Sequence, residues 1–141
     1  ALGLPRARRE AEGFRLRAQG ILEFLELQAH RDVLVGNLSY GLQKRVELGR
    51  ALIVGPSLLL LDEPMAGMNA EEKQEMARFV ADVNRDLGTT VVLIEHDMGV
   101  VMGLSDHVVV LDYGRKVGDG TPADVQANPE VIAAYLGVVN A

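Results

Sequence analysis

Apolar positions follow two rhythms along the 141 residues. Residues 6–30 carry them at helical spacing, with Ile21, Leu22, Leu25 and Leu27 closing a segment that has no proline after Pro5. Gly36, Asn37, Ser39 and Gly41 break that rhythm in VLVGNLSYG (33–41). A second helix is predicted over about 42–54, with Leu42, Val46, Gly49 and Ile53 on one face, and Gly55-Pro56 ends it. SLLLLDEP (57–64) then reads as a strand buried on both faces, the pattern of a parallel sheet covered by helices. MAGMN (65–69) reads as a turn, with Asn69 capping the next helix and Glu72 completing a capping box. Met76, Phe79, Val80, Val83 and Leu87 form one helical stripe, and Gly88 supplies the stop. TTVVLIEH (89–96) is a second buried strand, followed by a short helix over about 98–104 and a third strand, HVVVLD (107–112). After a turn at Tyr113-Gly114, two short helices open at Thr121-Pro122 and Asn128-Pro129.

Strands alternating with helices predict an α/β fold with a parallel sheet. The first 56 residues contain no strand of comparable quality. The expected division is therefore a helical subdomain over 1–56 and a sheet-bearing part over 57–141.

Composition narrows the function classes. Hydrophobic residues make up 48% of the chain, which predicts a packed core. A net charge of −6, with three tyrosines, three phenylalanines and no tryptophan, argues against a nucleic-acid surface. Absence of cysteine excludes disulfides and thiolate metal sites and fits a reducing compartment. The longest apolar run, VIAAYLGVV (131–139), is too short to span a bilayer, and no basic-then-apolar signal segment opens the chain. A cytosolic setting is expected. PRARREAEGFRLR (5–17) carries five arginines against two glutamates, which suits either a solvated helix face or an acidic partner.

The polar residues at the strand ends raise the chemical question. Asp62 and Glu63 follow four leucines directly, and two adjacent carboxylates at a buried strand end repel each other and resist desolvation. Ligands of open α/β sheets bind beyond the carboxyl ends of the strands, so a cation or a phosphate ligand would explain the pair. On an extended strand the two side chains are expected on opposite sides. One would hold Mg²⁺ and the other orient an attacking water. His96, at the end of the next strand, is placed to reach a transferred phosphate. A solvated turn and a structural histidine are the plain alternatives. Ser39 and Gly41, where a helix begins, offer a hydroxyl and free N–H groups to an anion, or simply an N-cap.

These pieces, in this order, resemble the ATP-binding subunit of ABC transporters. LSYGLQKR resembles the signature motif usually written LSGGQ. LLLLDEP resembles the Walker B strand with its catalytic glutamate, MAGMN the D-loop, and VVLIEHD the strand that ends in the switch histidine. The resemblance implies a partial P-loop NTPase fold of the ABC ATPase type, with ATP and Mg²⁺ as cofactors. It implies Asp62 for Mg²⁺, Glu63 for the hydrolytic water and His96 for the γ-phosphate. Ser39 and Gly41, with Asn69 of the D-loop, are implied to serve ATP held by a second, opposed ATP-binding subunit. Three positions depart from the usual pattern. Tyr40 and Leu42 stand where Gly and Gln are usual, and Tyr40 is expected to crowd the phosphate approach. Asn69 replaces the usual Asp.

The phosphate-cradling loop needs Gly-Lys-Ser/Thr after a strand. The three lysines, Lys44, Lys73 and Lys116, each follow a residue other than glycine. The resemblance is therefore to the C-terminal part of the subunit, without its N-terminal nucleotide-binding portion, and the 141 residues alone are not expected to turn over ATP. EHDMGVVMGLSDHVVVLDYGRKVGDGTPADVQANPEVIAAYLG (95–137) resembles the subunits of branched-chain amino acid importers. Permease partners and a peripheral place on the inner face of the cell membrane follow from that resemblance. A non-transport ABC-type ATPase and a truncated regulatory subunit acting in trans are the rival readings.

Overall fold

The computed structural model describes residues 5–136, so the end of the 131–139 apolar run lies outside the described residues. Two compact units divide the chain after Ile94. The sequence boundary after residue 56 follows the lack of strands before it, whereas this one follows packing.

The first unit holds α1 (Pro5–Phe24), α2 (Tyr40–Leu52), β1 (Leu58–Asp62), α3 (Ala70–Leu87) and β2 (Thr90–Ile94), with short 3₁₀ turns at Gln28–His30 and Val35–Asn37. β1 and β2 pair in parallel, from Leu58 opposite Thr90 to Asp62 opposite Ile94. Thr89 fixes that register. Its buried hydroxyl donates to the Pro56 carbonyl at 2.9 Å, and the Thr90 N–H donates to Ser57 at 2.9 Å. α3 begins at a complete Asn69–Glu72 capping box and stops at Gly88, whose φ of 66° is the left-handed value that glycine adopts without a side-chain penalty. Its stripe of Met76, Phe79, Val80 and Val83 is buried as the periodicity predicts, while Leu87 is exposed.

β1 departs from the expectation of burial on both faces. Leu59 is buried, but Leu58, Leu60, Val92 and Ile94 remain exposed on a two-stranded sheet. A leucine run reports how much apolar surface a strand carries. It does not report whether both layers that would cover it lie in the same stretch of chain.

Phe79 is fully buried, with the Arg45 guanidinium 4.9 Å and the Arg78 guanidinium 4.4 Å from its ring centroid. Arg45 also pairs with Glu75, and Arg78 donates to Glu26 at 2.9 Å. Through these contacts α2, α3 and the end of the first helical region share one aromatic centre.

The second unit holds α4 (Met98–Leu104), β3 (Val108–Asp112), β4 (Arg115–Gly120), α5 (Pro122–Ala127) and α6 (Pro129–Leu136). Here the structure corrects the sequence reading. The third strand forms an antiparallel hairpin with β4, an element the pattern did not predict. RKVGDG (115–120) has one large apolar residue in six, so it carries no alternation to detect. Its pairing with β3 slips between Val110 and Leu111, as a bulge does. Thr121 and Asn128 cap the two closing helices as expected: Asp124 N–H donates to the Thr121 hydroxyl, and Glu130 N–H donates to Asn128.

One carboxylate clasps the hairpin. Asp119 accepts from Lys116 at 2.6 Å and lies 2.7 Å from His107 Nε2. The Lys116 hydrogen bond first, and then that of His107, hold the Asp119 carboxyl below its ordinary value of 3.8. A depressed carboxyl stabilises the fold above the unfolded value, and the contribution is lost as pH falls through the folded one. Amide protection at Val109 and Gly118 is therefore expected to weaken as pH drops below about 3.8, and Asp119→Asn should flatten that dependence. Hydrogen exchange across an acid series checks it.

Candidate functional site

The carboxylates stand at the carboxyl end of β1, both exposed. Asp62 is the last strand residue. Glu63 has already left the strand: its φ is 45°, in the left-handed region, and its N–H donates to the Ile94 carbonyl at 2.9 Å. The expected alternation of the two side chains across an extended strand therefore does not apply, because the backbone turns between them. Ala66 N–H closes the turn on the Glu63 carbonyl at 3.1 Å, and Met65 and Met68 anchor it in the core. Left-handed backbone at a glutamate costs on the order of 1–3 kcal/mol, a strain that persists where the surroundings over-determine it.

At the start of α2, Ser39 is the N-cap, and its hydroxyl accepts weakly from Leu42 N–H at 3.5 Å. Gln43 reinforces the entry by donating its side-chain amide to the Leu38 carbonyl at 2.9 Å. Gly41 is buried for a steric reason, since a Cβ there would lie 2.8 Å from Glu72 Oε1. The same Glu72 accepts from Asn69 N–H at 3.1 Å and donates its own N–H to Asn69 Oδ1 at 3.0 Å. Ser39, Gly41 and Asn69 are thus brought together around a residue that capping spacing identified, but whose contact with Gly41 only the fold reveals. A cavity of about 80 Å³ is lined by Ser39, Gly41, Leu42, Arg45, Glu72, Glu75 and Met76.

Tyr40 lies differently from its expected place. Its hydroxyl donates to the Ala66 carbonyl at 3.1 Å, and its ring packs 3.4 Å from where a Cβ would stand on Gly67. The side chain is directed at the turn after Glu63, a role that signature spacing alone gives no means of finding.

His96 belongs to the second unit. It is exposed, with Nδ1 4.0 Å from the carboxylate of Glu95, whose side chain is only 2% exposed. Asp97 beside it caps α4 by accepting from Gly99 N–H at 3.1 Å. Among the described residues no group of three or more His, Asp or Glu gathers as a metal cage. The exposed carboxylates of Asp62 and Glu63 are ligands of the kind that Mg²⁺ takes together with substrate phosphates and water.

Comparison with known proteins finds relatives among ABC transporter ATP-binding subunits. A family model described as "ABC transporter" matches residues 6–66, and one described as "Branched-chain amino acid ATP-binding cassette transporter" matches residues 115–140. The chain is 43% identical over 121 residues to the high-affinity branched-chain amino acid transport ATP-binding protein LivG of Salmonella typhimurium, covering 86% of this chain and 48% of that protein. It is also 43% identical over 116 residues to the corresponding protein BraF of Pseudomonas aeruginosa, covering 82% and 46%. The chain therefore spans about half the length of the curated relatives it matches. Among solved structures, the ADP conformation of MJ1267, an ATP-binding cassette of an ABC transporter, superposes with a TM-score of 0.80 at 32% identity, covering 88% of this chain and 50% of that one. Fold, motif order and sequence agree: this chain has part of the ABC ATPase fold and resembles the C-terminal part of ABC transporter ATP-binding subunits, those of branched-chain amino acid importers among them.

Proposed function

We propose that these residues form the C-terminal part of the ATP-hydrolysing subunit of an importer for branched-chain or related amino acids. Residues 1–56 then supply the signature side of the helical subdomain, and 57–141 supply the strand-tip and switch residues. The observation that carries this reading is the tip of β1, where Asp62 ends a parallel strand and Glu63, also exposed, turns out of it with its N–H on the Ile94 carbonyl. Mg²⁺–ATP, when bound, supplies the phosphoryl group to be transferred and the cation that neutralises its charge. Asp62 would hold the cation. Glu63 would orient the attacking water and accept its proton, and His96 would hydrogen-bond the γ-phosphate.

Ser39 and the N–H groups around Gly41 would meet the γ-phosphate of a nucleotide on an opposed subunit, since a helix N-terminus favours an anion. The glycine-rich phosphate loop is not among these 141 residues. ATP binding by them alone would then rest on a few side chains and be weak. No helix among the described residues is long and apolar enough to cross a membrane. Attachment to the inner face of the membrane through permease subunits is part of the same proposal.

Ser39→Arg in the complete subunit tests the reading. ATP binding by the monomer should be spared and nucleotide-dependent dimerisation lost, because the added guanidinium blocks the face that meets the opposed subunit. Titration with a nucleotide analogue and light scattering separate the two effects. An equal loss of monomer affinity would put Ser39 in its own subunit's site and overturn the assignment.

A further inference from the structure

The turn after Glu63 is held from two sides by backbone acceptors. On one side Glu63 N–H donates to Ile94, and on the other the Ala66 carbonyl accepts the Tyr40 hydroxyl, 26 residues away in sequence. Tyr40 is the first residue of α2, directly between Ser39 and Gly41. Gly67, with φ of 76°, leaves the space that the ring occupies, and the Lys44 ammonium stands 5.7 Å from the ring centroid. A ring fixed by a glycine gap, a nearby cation and a hydrogen bond is committed to one place. Glu72 adds a second tie, because its carboxylate packs on Gly41 while capping Asn69.

We propose that Tyr40 is a positioning residue, which fastens the Glu63–Ala66 turn to the start of α2 so that Glu63 moves with Ser39 and Gly41. The proposal rests on the function above, in which Ser39 and Gly41 meet one nucleotide and Glu63 serves another. Seating the first group would then align the second, and the tyrosine hydroxyl is the link between them. A substituted glycine at position 40 would leave the turn with its Ile94 tether and its methionine anchors but without this link.

Tyr40→Phe removes the hydroxyl and keeps the ring. In the 141-residue chain, amide exchange at Ala66 and Met68 should quicken by about three- to tenfold, the factor expected from one net hydrogen bond. Leu59–Leu61 in β1 should exchange at the wild-type rate. In the complete subunit, kcat per bound nucleotide should fall by a similar factor while KM for ATP stays within about twofold. A merely structural role would speed exchange in β1 as well, and that result, or unchanged exchange at Ala66 and Met68, overturns the proposal. Glu63→Gln run in parallel keeps the two readings apart. If it retains turnover, the assigned role of Glu63 fails, and the exchange data still judge the link. If it is inactive while Tyr40→Phe turns over like wild type, the link alone fails.

Discussion

Glu63→Gln in the complete subunit is expected to lower ATP turnover by about 10²- to 10⁴-fold, the range lost with a positioned general base. Glutamine keeps the volume and one hydrogen-bond acceptor but cannot take a proton from water. The fold should tolerate the exchange, because the side chain is exposed and the backbone tie to Ile94 uses the Glu63 N–H, which glutamine keeps. Nucleotide binding should persist, and the nucleotide-bridged dimer should accumulate since its exit by hydrolysis is closed. Asp62→Asn should behave differently, weakening Mg²⁺-dependent binding itself. Single-turnover kinetics beside a binding titration distinguish the two. Near wild-type hydrolysis by Glu63→Gln would remove Glu63 from the role of base.

Phe79→Ala is expected to be the most damaging change to stability in the first unit. The ring is fully buried and lies against two guanidinium groups. Truncating a buried phenylalanine costs about 3–5 kcal/mol through lost transfer energy and residual cavity. The two arginines would lose a further contact worth about 0.5–2 kcal/mol each, partly recovered by hydration. Domains are stable by only about 5–15 kcal/mol, so much of the margin goes with one side chain. A urea titration should show a large fall in midpoint for Phe79→Ala and a smaller one for Phe79→Leu, which fills most of the volume without offering a π face. Equal midpoints for Phe79→Ala and wild type would remove the ring from the centre of the unit.

Much of this molecule was legible in its sequence where the signal was local. The capping box at Asn69, the cap at Thr121, the Gly88 stop, the α3 stripe and the parallel pairing of β1 with β2 all depend on residues a few positions apart or on strong apolar runs. What escaped depends on distant partners. β4 is polar and rich in glycine, and its strand character comes from pairing with β3 rather than from propensity. The extended-strand reading of Glu63 misses its left-handed backbone, and the partner of its N–H, the Ile94 carbonyl, lies 31 positions along the chain. Signature spacing predicts that Tyr40 crowds a phosphate, but nothing in that spacing points to Ala66 and Gly67, which its side chain reaches. The position of Asp62, Glu63, Ser39 and Asn69 at element ends was readable. The contacts that join those ends were not.

The left-handed backbone at Glu63 also biases how this position can drift over generations. Glycine relieves the local strain outright, and asparagine and aspartate tolerate such a conformation better than glutamate. Valine, isoleucine and threonine meet a backbone refusal before any chemistry is tried, since branching at Cβ suits that region least. Glycine and asparagine, which lack the carboxylate, are therefore among the easiest residues for the chain to accommodate here. A lineage can lose the carboxylate at this residue while keeping its fold, and the way back requires re-entering the strained conformation.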